Sequence, residues 1–117
     1  MPRLIEKPTI IPVPGNKQIA EHVGRVNTGA SALSIAHMKS PAGWSEPGQR
    51  PEFDEYTLVL GGYMRVEYEG GQIDVKAGQS IHCAPSEWVR YSTPDGCEYV
   101  AVCMPAFHTD TVHRDPA

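Results

Sequence analysis

Punctuation constrains this chain more than any other feature. From residue 27 onward, short apolar runs are cut at regular intervals by turn formers. These are Asn27-Thr28-Gly29, Gly61-Gly62, Gly70-Gly71, Ala77-Gly78, Pro85 and Pro94-Asp95-Gly96. Between the cuts the side chains alternate. Leu33, Ile35 and His37 oppose Ser34, Ala36 and Met38, and Met64, Val66 and Tyr68 oppose Arg65 and Glu67. A period of two is the signature of a strand with one face turned inward. Short strands joined by tight turns assemble as a sandwich or barrel, so the expected class is all-β.

A length of 117 residues is that of one domain with a core of its own. Residues 1–26 form an N-terminal arm and edge strand, because Pro2, Pro8, Pro12 and Pro14 interrupt any continuous ladder. Within them, Thr9-Ile10-Ile11 can pair with a sheet edge. The segment 16–24 reads either as a helix capped by Asn16 or as a strand, and the strand reading is taken. The barrel occupies 27–104, with strands expected at 32–38, 53–60, 63–69, 72–75, 80–84, 88–92 and 98–104. Gly61-Gly62 is expected to make a tight turn, and 105–117 a polar tail anchored by Phe107.

A net charge of −4 and the absence of a basic run argue against nucleic acid and against an acidic membrane surface. No apolar run is long enough to span a bilayer, and the early prolines leave no room for a signal-peptide core. The expected location is cytoplasmic. Cys83, Cys97 and Cys103 are odd in number and form no CxxC, which suits buried free thiols in a reducing compartment.

Residues 43–62 carry the chemistry. A loop with Trp44, Glu46, Gln49, Arg50, Glu52, Asp54 and Glu55 runs into the strand Tyr56-Thr57-Leu58-Val59-Leu60. Polar groups delivered onto the end of a rigid strand make a small-molecule site. Gly62 follows Glu55 by seven residues, and Lys76-Ala77-Gly78 is followed by a strand and Pro85. Over residues 43–92 this order resembles a cupin, the RmlC-like jelly-roll barrel or double-stranded β-helix. The resemblance implies a metal site built from a His-x-His pair, a Glu and a later His. At those positions this chain has Gln49, Pro51, Glu55 and Arg90. Pro has no side-chain donor and Arg is a cation, so the metal chemistry does not carry over. No cofactor is expected. A divalent transition metal enters only if a site is rebuilt from His37, His82 and Glu55.

The family position turns Glu55 into the lumen, where a carboxylate needs a partner or takes up a proton. It also turns Arg90 inward and Tyr91 outward. Arg90 then either pairs with Glu55 as a structural substitute for the metal, or binds a substrate carboxylate or phosphate while Glu55 acts as the catalytic acid or base. Gln49 donates to a substrate oxygen or closes its own loop. Trp44 and Trp88 wall the pocket or simply pack. His108, Asp110 and His113 belong to a solvated tail. The expected function is binding of a small anionic metabolite in the lumen, with metal-free isomerase, epimerase or lyase chemistry by proton transfer. A non-catalytic binding or sensing module and a metal-dependent enzyme of dioxygenase type are the alternatives. A homodimer through the arm or an edge strand is the expected assembly.

Overall fold

The computed structural model describes residues 1–116; Ala117, the end of the expected tail, lies outside them. Nine strands and no helix occur among the described residues: β1 (Thr9–Ile11), β2 (Gln18–Val23), β3 (Ser34–Ser40), β4 (Trp44–Ser45), β5 (Asp54–Tyr68), β6 (Gly71–Lys76), β7 (Ser80–Cys83), β8 (Val89–Thr93) and β9 (Cys97–Met104). All pairings are antiparallel. The expected all-β jelly roll is what the chain forms, and the ambiguous segment 16–24 is a strand.

β5 is the spine of the molecule. Its first half pairs with β7 and β9, and its second half with β6 and β8. One 15-residue strand therefore belongs to two sheets and curls the ladder into a barrel. The expected tight turn at Gly61-Gly62 is absent. The strand instead bulges between Val59 and Gly61 and runs on. Gly62 has φ +71°, and a Cβ there would lie 2.2 Å from the carbonyl oxygen of Gly96. Glycine is needed to bend the strand past a neighbouring backbone, not to reverse it.

The inward face of the barrel packs Val59, Met64, Val66, Val75, Cys83, Val89, Tyr91, Cys97 and Tyr99 into one cluster. A smaller cluster joins Phe53, Cys103 and Val112, with Phe107 against it. Val112 lies in the segment expected to be a solvated tail. That segment is instead folded onto the barrel mouth: Arg50 and Glu52 donate backbone N–H bonds to the carbonyls of His113 and Thr111, and Asp115 donates to Gly48. Phe107 anchors it as expected, its ring centroid 5.8 Å from that of Phe53. Burial of Ala106 and Val112, with Phe107 partly buried against the smaller cluster, outweighs the segment's average polarity.

The N-terminal arm pairs with its own sheet through β1 and β2. No helix of the described residues is long and apolar enough to cross a membrane. The three cysteines are buried and free.

Candidate functional site

The barrel encloses a cavity of about 380 Å³. Its walls are mostly apolar: Ile19, Ala36, Met38, Met64, Ala101 and Cys103 line it alongside Trp44, Tyr91 and Tyr99. Into this lining project Lys17 from the lead-in to β2, Glu46 and Gln49 from the loop after β4, Glu55 from β5 and Arg114 from the folded-over tail. A mainly apolar cavity with a few convergent polar groups is the general form of a small-molecule site.

The five groups divide into two sets. Glu46, Gln49 and Arg114 are tied together: an Arg114 guanidinium nitrogen lies 3.5 Å from the Glu46 carboxylate, and Arg114 Nε donates to Gln49 Oε1 at 3.4 Å. Gln49 is 3% exposed and its backbone also bridges Val89 and Arg114. Burial pushes the Glu46 carboxyl above its usual range, against the opposing pull of Lys17 and Arg114.

Lys17 and Glu55 form the other set. Among the described residues neither has a side-chain hydrogen bond or ion pair to a protein group. Lys17 Nζ rests over the Trp44 ring, 3.7 Å from its centroid. No fully buried side-chain nitrogen or oxygen is left without a partner among the described residues, so these two groups must open onto the cavity itself. Burial is the main cause that pushes the Glu55 carboxyl up to about 7; Glu46 adds to it, and Lys17 and Arg114 oppose. Near neutral pH that carboxyl is poised between its two forms. Burial also lowers the Lys17 ammonium from its usual value, offset in part by Glu46 and Glu55.

Glu55, Gln49 and Trp44 thus stand where the sequence places them. Arg90 does not. It is exposed on the outer face of β8, 4.0 Å from Glu67, while Tyr91 is buried and faces inward. The family spacing after Pro85 is off by one residue here, and one residue inverts every side chain on a strand. Val89, Tyr91 and Thr93 bury together, against the polar Arg90 and Ser92. Tyr91 Oη donates to Cys83 Sγ at 3.3 Å, and burial holds the phenol well above its ordinary pKa, so it is a neutral wall.

Trp88 also lies outside the lumen. Its ring packs over Gly48 and its Nε1 donates to Asp115 at 2.8 Å. His37 and His82 are on the outer face too, each 2.7 Å from a carboxylate, Glu98 and Asp54 respectively. His82 stacks on Tyr56 at 4.4 Å between centroids. The structure therefore does not bring His37, His82 and Glu55 together, because both histidines occupy the strand phase opposite to the lumen residues. Among the described residues no three His, Cys, Asp or Glu side chains converge to hold an ion. Of the tail residues, His108 reaches the cavity mouth and His113 pairs with Glu52.

The metal implied by the family positions finds no fit in this donor set. Pro51 offers nothing, Gln49 Oε1 already accepts from Arg114, and two cations share the lumen with Glu55. The residues that sequence reasoning missed are Lys17, Glu46, Arg114 and the inward Tyr91. The alternation of Val89, Tyr91 and Thr93 was a readable signal for the last. Lys17 and Arg114 lie outside the motif stretch, in segments whose path only the fold sets.

No family model matches the chain. It is 39% identical over 114 residues to the endoribonuclease YbeY of Myxococcus xanthus, across 95% of this chain and 38% of that protein. The chain thus spans well under half of that relative, whose name describes the whole. Among solved structures, the RmlC-like cupin of Shewanella frigidimarina matches with a TM-score of 0.73 at 18% identity over 92% of each chain. KdgF of Halomonas sp. matches with a TM-score of 0.71 at 15% identity, over 87% of this chain and 91% of that one. In fold, this chain belongs with the cupins.

Proposed function

We propose that the lumen binds a small organic anion without a metal, and that Glu55 transfers a proton to or from it. The observation that carries the reading is the pair of cavity-facing groups, Lys17 and Glu55, that among the described residues have no hydrogen-bonding or ion-pairing partner. A charged group in an apolar lining costs free energy until something pairs with it. An anionic ligand held by Lys17 and Arg114 supplies that pairing for Lys17 and meets Glu55 in its protonated form, and Trp44 and Gln49 bound its volume. In this reading Arg114 and Lys17 take the anion-binding role first assigned to Arg90. A carboxyl poised at about 7 serves as either acid or base at neutral pH. Isomerisation, epimerisation and elimination all begin with such a transfer.

The test is hydrogen exchange. Small carboxylates with an acidic C–H, incubated with the protein in heavy water, should incorporate deuterium by NMR. Glu55→Gln should lose that exchange by about 10²- to 10⁴-fold while still binding. Binding without exchange in the native chain would favour a non-catalytic binding module instead.

Pairing of two copies is part of the proposal. Tyr56, Leu58, Leu60 and Met104 lie 40–49% exposed on the outer face of β5 and β9, which a second copy would cover. Light scattering should give twice the 12.8 kDa chain mass; the chain mass alone would rule pairing out.

A further inference from the structure

Lys17 differs from the other lysines of the chain. Lys7, Lys39 and Lys76 are exposed, whereas Lys17 is half-buried and its Nζ lines the cavity. Its Nζ sits over the Trp44 ring, with the Tyr99 ring centroid beyond at 5.9 Å. A lysine in a desolvated pocket, near a second cation and without a carboxylate clamped to it, keeps a larger neutral fraction than one at the surface. Arg114 is that second cation and acts on Lys17 in the same direction as burial, against the carboxylates. Glu55 faces the same space, and burial raises its carboxyl so that the protonated form is populated near neutral pH.

We infer that Lys17 is an imine-forming amine, and that the anion of the lumen is a small oxo acid whose carbonyl carbon it attacks. The inference rests on the proposed lumen site and names its substrate class. The neutral Nζ adds to the carbonyl carbon, and the resulting carbinolamine loses its hydroxyl as water. Protonated Glu55 supplies the proton for that departure and is left as carboxylate, so charge and atoms balance: amine, carbonyl and carboxylic acid become iminium, water and carboxylate. The iminium is again a cation over Trp44, so the ring contact survives the reaction. Arg114 at the mouth is placed to hold the acid's own carboxylate. The carboxylate left on Glu55 then faces an iminium that makes the adjacent C–H acidic, which is the proton the site is proposed to move.

Pyruvate and glyoxylate serve as probes, with lactate as the hydroxy analogue that cannot condense. The protein is incubated with each oxo acid and sodium cyanoborohydride, and its peptides are analysed by mass spectrometry. The reduced adduct should fall on the peptide carrying Lys17, leaving Lys7, Lys39 and Lys76 unmodified. Lys17→Arg keeps a cation over Trp44 but no amine that can condense; it should show no adduct while unfolding as cooperatively as the native chain. Lactate binding to the native chain without an adduct at Lys17 overturns the imine and leaves the anion site standing. Adducts spread evenly over all lysines overturn it as well. If neither lactate nor pyruvate binds, both the imine and the anion site fall.

Discussion

The two faces of β5 and its neighbours treat charge in opposite ways. On the outer face ionisable groups pair off: His37 with Glu98, His82 with Asp54, Arg65 with Asp74, Arg90 with Glu67. On the inner face Glu46 and Arg114 are tied together, but Lys17 and Glu55 face the cavity with none among the described residues. The exposed pairs sit in water and are worth little, since solvent screens them. The unpaired groups sit in a poorly solvated cavity, where leaving a charge alone is costly. In the proposed reading a ligand offsets that cost, so the unpaired groups point to the site better than the densest charge cluster does.

The comparison breaks most visibly at Glu55. Beyond the loss of proton transfer expected for Glu55→Gln, stability itself should depend on pH. The folded carboxyl is raised from 4.5 to about 7, so the folded state binds this proton more tightly than the unfolded chain. The stabilisation is full below about 4.5 and is lost as pH rises through about 7. Denaturant unfolding should show the native chain weakening over that window by up to roughly 3 kcal/mol, with Glu55→Gln weakening less, by the smaller share that Glu46 contributes. Equal pH dependence in both proteins would place the titration elsewhere.

A smaller effect is expected at Arg114. Changing it to Met leaves the partly buried Glu46 without its ion pair and frees the Gln49 carbonyl. The cost should be about 1–3 kcal/mol in chemical denaturation. Smallest of all are the outer pairs: His37→Ala, His82→Ala and Arg90→Ala should each shift stability by less than about 1 kcal/mol and leave carboxylate binding unchanged. A large binding defect in any of these three would mean that the outer face reaches the site.

Much of this was legible in the sequence. Gly and Pro spacing marks an all-β chain, though it splits β5 in two and passes over β4, and the cupin resemblance turns Glu55 into the lumen, where it stands. What failed, failed for local reasons. Gly62 is a bend rather than a turn, because its close neighbour Gly96 is distant in sequence and no pattern announces it. The motif count turns Arg90 inward, while the alternation of Val89, Tyr91 and Thr93 gives the opposite phase, which the fold adopts. Lys17 and Arg114 come from the arm and the tail, each polar enough on average to pass as solvated. Only the folding of the tail over the mouth, through Val112 and Phe107, brings Arg114 to Glu46.

A metal-free anion site in the lumen is tested most directly by calorimetry of lactate and other small carboxylates on protein stripped of metals by chelator. The native chain should bind at least one of them saturably, and Arg114→Met should bind it about 10-fold or more weakly. Binding that appears only when a divalent metal is restored, or that survives in Arg114→Met undiminished, would contradict a metal-free anion site in this lumen.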